Sequence, residues 1–257
     1  MDLELNGRRA FVMGASRGLG KACAMSLARE GASVVLTGRN ADALAESCET
    51  IRAEGGIASY QVVDFEDAGG LSAAVASVGD VDVVVTNCGG PPPGKMAEVS
   101  DEALVRYFDL IVRVPVRVTS TFLPGMRTRN FGRIINIVSS GVIQPIGNLG
   151  LSNMLRPSIV GWAKTLASEV ASDGVTVNSV VPGRIHTQRV DELDAAAARR
   201  QSRTAAEVAQ ASRDSIPMKR YGRPEEFADA VAFLASARAS YITGSLIRVD
   251  GGSIAAI

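Results

Sequence analysis

The stretch Phe11-Val12-Met13-Gly14-Ala15-Ser16-Arg17-Gly18-Leu19-Gly20 leaves an apolar run, breaks into glycines and resumes as the helical pattern Lys21-Ala22-Cys23-Ala24-Met25-Ser26-Leu27-Ala28. That order reads as strand, tight turn and helix. The spacing Gly14-x3-Gly18-x-Gly20 lets the backbone turn sharply. It also lets a pyrophosphate come up to the first turn of the helix, where unpaired N–H groups and the helix dipole favour an anion. Placed directly after the first strand, the turn implies a dinucleotide as ligand.

Downstream, apolar runs at Ser33–Thr37, Ala58–Val63, Val81–Thr86, Ile134–Val138, Val175–Val181 and Leu246–Val249 alternate with amphipathic helical stretches. Val34-Val35-Leu36 and Val83-Val84-Val85 are apolar at consecutive positions, as in strands buried on both faces. The pattern predicts an α/β fold, a single Rossmann-type doubly wound parallel sheet with helices on both faces. No repeat or low-complexity linker divides the chain, so residues 1–257 read as one dinucleotide-binding domain. At 46% hydrophobic content, 257 residues suffice for a substantial core. Val190–Arg213, rich in alanine and charge, reads as one or two surface helices placed before the last helix and strand.

Twenty-seven basic residues balance twenty-seven acidic ones, which speaks against general attraction to nucleic acid or to an anionic membrane. The expected partner is a small molecule or another copy of the chain. The N-terminus shows no basic-then-apolar leader and no apolar run approaches a membrane span, so a cytoplasmic location is expected. Cys23, Cys48 and Cys88 are widely separated and lack metal-ligand spacing; reduced thiols and no metal site are expected.

The strand ends carry the remaining ligand signals. Thr37-Gly38-Arg39-Asn40 has no carboxylate where one would bind the adenosine ribose, which removes a repulsion against a 2′-phosphate. Arg39, together with Arg17 in the glycine turn, supplies charge-assisted donors for that phosphate, so NADP(H) is predicted over NAD(H). Asp64 is a candidate for the adenine amino group, and Thr86-Asn87-Cys88-Gly89-Gly90 leads into Pro91-Pro92-Pro93-Gly94, where each ring stiffens the exit from the strand.

Taken together, these motifs resemble the short-chain dehydrogenase/reductase family, of the kind grouped with the 3-oxoacyl-carrier-protein reductases. The resemblance runs nearly end to end. It rests on the glycine turn, on Thr86-Asn87-Cys88-Gly89, on Gly132-Arg133-Ile134-Ile135-Asn136-Ile137-Val138-Ser139-Ser140 and on Val177-Asn178-Ser179-Val180-Val181-Pro182-Gly183 with Thr187. Arg223-Pro224-Glu225-Glu226, Tyr241-Ile242-Thr243-Gly244 and Val249-Asp250-Gly251-Gly252 complete it. It implies hydride exchange between nicotinamide and a carbonyl/alcohol pair or an acyl thioester. It also implies cofactor contacts from Gly14, Ser16, Arg17, Gly18, Leu19, Gly20, Arg39, Asp64, Asn87, Gly89, Arg156, Pro182, Gly183 and Thr187. In relatives, residues matching 188–214 form a lid, where Arg199, Arg200 and Arg203 would meet an acidic or phosphopantetheine-bearing substrate. The helices matching Glu102–Arg129 and Leu151–Ser172, and the last strand, pair with further subunits, so a homotetramer or homodimer is expected.

The family's catalytic serine matches Ser139. Counting without gaps from either flank, the tyrosine position holds Ser152, the lysine position Arg156 and the asparagine position Ile111. Sliding the register by two residues offers Met154 and Ser158, and no tyrosine lies between Tyr107 and Tyr221. A serine hydroxyl is a far weaker acid than a phenol of pKa about 10. Arginine stays protonated and does not relay protons. His186 is the first candidate for rerouted proton transfer, since an imidazole titrates near neutrality, and Lys95 the second. Two readings follow: an NADP(H)-dependent oxidoreductase with atypical or weak proton transfer, or a catalytically inactive NADP(H)-binding regulator or partner subunit.

Overall fold

A computed structural model of the chain describes residues 2–256. The apolar runs form strands β1 (Arg9–Val12), β2 (Ser33–Gly38), β3 (Ile57–Val62), β4 (Val83–Thr86), β5 (Gly132–Ile137), β6 (Val175–Pro182) and β7 (Leu246–Val249). β7 matches the expected bounds and the others differ by a residue or two at one end or both, because side-chain pattern does not fix where ladder hydrogen bonding stops. Between them lie helices α1 (Gly18–Arg29), α2 (Ala41–Ala53), α3 (Ala68–Val78), α4 (Asp101–Phe108), α5 (Val114–Thr128) and α6 (Gly150–Val170). Helices α7 (Gln188–Gln201), α8 (Ala205–Ser215) and α9 (Pro224–Ala235) follow.

The strands form one parallel sheet in the order β3-β2-β1-β4-β5-β6-β7. Alternate residues of each strand feed opposite layers. Ala10, Val12, Val83 and Val85 pack with Cys23, Leu27 and Phe227 of α1 and α9 on one face. Phe11, Met13 and Val84 pack with Val75, Val118, Phe122 and Ala163 of α3, α5 and α6 on the other. Two buried faces explain the uninterrupted valines of β4. The strand order reverses between β1 and β4, which opens a crevice beyond their carboxyl ends.

The helix expected over Glu102–Arg129 is broken by a wide turn at Asp109–Arg113 between α4 and α5. Pro115, at the start of α5, has no N–H to return to the Ile111 carbonyl, and this favours the break there. The helix expected over Leu151–Ser172 ends at Val170 and closes through a short turn, Ala171–Asp173, onto Gly174 at φ 70°. Among the described residues, no helix is long and apolar enough to cross a membrane.

Candidate functional site

The glycine turn joins β1 to α1 in a form that excludes side chains. Gly14 and Gly18 have φ of 60° and 58°, a region costly for other residues. A β-carbon on Gly14 would stand 2.6 Å from the Asn87 carbonyl oxygen, and one on Gly20 would run into the Gly14 carbonyl oxygen. Asn87, just after β4, donates from Nδ2 to that same oxygen (3.3 Å), so the ends of β1 and β4 are laced together. At the head of α1, Arg17 provides no side-chain cap and the first turn has no acidic residue. The N–H groups there are left to a ligand, which fits a pyrophosphate.

Over this turn lies a cleft of about 640 Å³. Gly14, Ser16, Arg17, Gly18 and Leu19 form its floor, and Arg39 with Asp64 lies toward the β2 and β3 ends. Asn87 and Gly89, then Ser139, Ser152 and Arg156, then Pro182, Gly183 and Thr187 form the rest of the wall. Gly20 is beneath the turn and does not face the cleft. The two arginines expected at the 2′-phosphate divide. Arg39 is exposed at the end of β2, where a β-carbon on Gly38 would be 3.4 Å from Ser16 Oγ. Arg17 instead reaches across to α7, donating from Nη1 to Gln188 Oε1 and lying 4.0 Å from Glu192 Oε1.

Ser139, following β5, accepts a hydrogen bond from the Gly141 N–H through Oγ (3.1 Å), which leaves its own proton free to donate into the cleft. Ser152 and Arg156 lie a turn apart on the inner face of α6. Ser152 is 7% exposed. The Arg156 guanidinium donates from Nη1 to the Ile137 carbonyl (3.1 Å) and from Nη2 to the Cys88 carbonyl (3.4 Å). Burial pushes its pKa down, the neighbouring Cys88 thiol opposes this, and Arg189 reinforces it. Met154 and Ser158, the alternative register, are exposed on the opposite face. Asn153 pins the preceding loop, accepting from the Ile146 N–H (3.1 Å) and donating to its carbonyl (2.8 Å).

Ile111 is buried at 2% exposure and packs with Leu151 and Leu155. Beside it, Thr86, Cys88 and Arg156 enclose a void of only about 10 Å³, at the lower limit for a single water. Burial holds the Cys88 thiol protonated, its pKa pushed up to about 12.

Two candidates for proton transfer are corrected. Ile185 pairs with Gly222 in a short bridge and buries its side chain in the core layer that holds Phe227, and the next side chain, His186, faces outward. Its imidazole is 68% exposed, with Nε2 3.5 Å from Asp191 Oδ1 and the ring 6.4 Å from that of Tyr221. Lys95 is also away from the cleft, 3.2 Å from Glu98. Of the arginines expected to meet the substrate, Arg200 lines the cleft, whereas Arg199 and Arg203 do not.

Sequence reasoning missed Arg189 and Asp194. Arg189, in the first turn of α7, lines the cleft and donates to the Pro91 carbonyl (2.7 Å). Asp194 is 3% exposed and accepts from Arg184 Nη1 (2.6 Å) and from the Tyr221 hydroxyl (2.7 Å). No local signal separates Asp194 from Asp191 and Glu192 beside it in the sequence.

A family profile described as enoyl-(acyl carrier protein) reductase, of the adh_short_C2 group, matches residues 14–253. A 3-oxoacyl-[acyl-carrier-protein] reductase, FabG, of Vibrio cholerae is 35% identical over 97% of this chain and 98% of its own. The NADPH-dependent reductase BacG of Bacillus subtilis is 34% identical over 98% of this chain and 100% of its own. L-Sorbose reductase from Gluconobacter frateurii, solved with NADPH and L-sorbose, superposes with a TM-score of 0.94 at 33% identity, covering 100% of both chains. A match over nearly the whole length, in both sequence and fold, settles the lineage: the chain belongs to the short-chain dehydrogenase/reductase family.

Proposed function

We propose that the protein is an NADP(H)-dependent oxidoreductase acting on a carbonyl/alcohol pair, with proton transfer that does not use a positioned phenol. The observation that carries this reading is the uncapped head of α1 opening into a cleft walled by Ser139, Ser152 and Arg156. The N–H groups of α1 hold the pyrophosphate, and Ser16 with Arg39 takes the 2′-phosphate. Relatives described as NADPH-dependent or solved with NADPH support the choice of cofactor. When bound, the nicotinamide supplies the hydride.

The chain's own groups orient the rest. The Ser139 hydroxyl donates to the substrate oxygen, with Ser152 on the same wall. Arg156, tied to two carbonyls, keeps a fixed positive charge there and passes no proton. The proton comes from cleft water, and loss of a positioned acid slows turnover by roughly 10²–10⁴-fold relative to one that has it. Helices α7 and α8 act as a lid over the cleft within one dinucleotide-binding domain. The exposed Val105 and Phe108 of α4, Leu246 of β7 and Tyr241 in the turn before it support assembly as a homodimer or homotetramer.

The test is NADPH binding by fluorescence titration, followed by absorbance loss against a panel of ketones, aldehydes and acyl thioesters, with Ser139→Ala as control. Tight NADPH binding and slow, Ser139-dependent turnover are expected. Tight binding without turnover on any substrate would make the chain an NADP(H)-binding regulator or partner subunit. Tighter NADH binding would refute the cofactor assignment.

A further inference from the structure

Arg156 and Arg189 come from different elements, α6 and the start of α7, and meet over one point of the cleft wall. A β-carbon built on Gly90 would stand 3.7 Å from Arg156 Nη2 and 3.7 Å from Arg189 Nη2. Gly90 has no side chain, so the space between the two guanidiniums opens onto the cleft, which both arginines line. Arg156 has no carboxylate partner there, and Arg189 only a long, shared one. Arg156 is held only by backbone carbonyls. Arg189 donates to Pro91, and its nearest carboxylate, Glu192, which also lines the cleft, is 3.7 Å from Nη1 and is shared with Arg17. Two like charges facing one another, one of them partly desolvated, favour an anion between them.

We propose that Arg156 and Arg189 together grip a carboxylate on the substrate, so that the protein takes an oxo acid or hydroxy acid rather than a neutral ketone or alcohol. The proposal rests on the oxidoreductase reading and deepens it. The cofactor's own anions have other seats: its pyrophosphate at the head of α1 and its 2′-phosphate at Ser16 and Arg39. Arg156 follows Ser152 by one helical turn, so a carboxylate at Gly90 lies along the wall that also carries Ser152 and Ser139, the hydroxyl that faces the reacting oxygen. Guanidinium forks suit a planar carboxylate better than an ammonium does.

The experiment uses the intact protein, with and without NADPH. Pyruvate, acetoacetate and levulinate, which space the carboxylate differently from the carbonyl, are titrated against their amides, with NADPH fluorescence and thermal shift as readouts. At least one oxo acid should bind about 10- to 100-fold more tightly than its amide, the range for a charge-assisted hydrogen bond in a partly desolvated site. Arg189→Gln should remove most of that preference while changing the NADPH dissociation constant less than about threefold, and Arg189→Lys should restore part of it. Arg156→Gln should also remove the preference; thermal unfolding of each variant reports whether it folds. Equal binding of acids and amides would overturn the proposal. So would a loss of NADPH affinity in Arg189→Gln as large as the loss of acid affinity, since the pair would then serve the cofactor's phosphates. If NADPH does not bind at all, the oxidoreductase reading fails, and the acid-to-amide ratio on the free protein still decides whether the pair is a carboxylate site.

Discussion

At the residue scale, the two ends of the cleft are held to very different standards. The glycine turn admits no atoms. A methyl group at Gly20 meets the Gly14 carbonyl oxygen, so Gly20→Ala must displace the turn whose N–H groups face the cleft. It is expected to raise the NADPH dissociation constant at least about tenfold, since even 1.4 kcal/mol of misplacement has that effect, while the far-ultraviolet circular dichroism stays the same. Unchanged affinity in a fluorescence titration would show that the turn does not hold the nucleotide. On the α6 wall, Ser152 lines the cleft at the position the proposed reading gives to the family's tyrosine, so Ser152→Tyr combined with Arg156→Lys tests whether a phenol and its partner placed there speed turnover. On a substrate turned over slowly by the parent, this pair should raise kcat by roughly 10²–10⁴-fold, the usual worth of a positioned acid. A smaller gain would place the limiting step outside proton transfer, with buried Ile111 and the nearly filled void beside it as the next features to change.

At the element scale, one of the ties that fasten α7 to the body is a buried carboxylate. Asp194 receives both the Arg184 guanidinium and the Tyr221 hydroxyl, from segments that flank the lid on either side in sequence. Asp194→Ala removes the acceptor of the Arg184 guanidinium and leaves the Tyr221 hydroxyl only the longer contact to the Ala209 carbonyl (3.4 Å). Because Arg184 is itself partly exposed, the expected loss is about 2 kcal/mol, below the usual cost of breaking a fully buried pair. Local opening of the lid should exceed global destabilisation, so hydrogen exchange should rise across α7 and α8 more than across β1 or β4. Uniform acceleration would show that the lid does not open as a unit. This fastening also marks where the sequence stopped being legible. The strands and the glycine turn follow from periodicity and spacing, which are local, whereas Ser139, Ser152 and Arg156 are singled out only by counting along the family resemblance. The outward aim of His186 is set by the pairing of Ile185 with Gly222, and the place of Arg189 by its reach to Pro91. Both depend on partners far off in the chain that no local pattern reveals. The break between α4 and α5 lay in plain view at Pro115, but helical periodicity on either side obscured it.

At the scale of the whole molecule, the charged and thiol groups together set the pH range of the fold. Glu226 accepts from Arg220 through two nitrogens, at 2.8 and 2.6 Å, and from the Arg223 N–H at 2.7 Å, and these donors push its pKa down to about 2. Arg29 and Arg106 likewise hold Glu54 and Glu66 below the usual carboxylate range. Each contributes stability that is present above the unfolded pKa of about 4.3 and is lost as pH falls toward the folded value. The thiols act in the opposite direction. Burial raises Cys23 and lifts Cys88 to about 12, so their contribution is complete below the ordinary thiol value of about 8.5 and is lost as pH rises beyond it. The melting temperature is therefore expected to be flat between about pH 5 and pH 8 and to decline on both sides. Differential scanning calorimetry across that range checks it, and Glu226→Gln should make the acid limb shallower while leaving the alkaline limb in place. A maximum near pH 4 would mean that the carboxylate pairs do not persist in solution. The same burial predicts that a thiol reagent at pH 8 labels the folded protein slowly and all three cysteines promptly once guanidinium unfolds it; rapid labelling of Cys88 in the folded protein would show that the wall beside Arg156 opens to solvent.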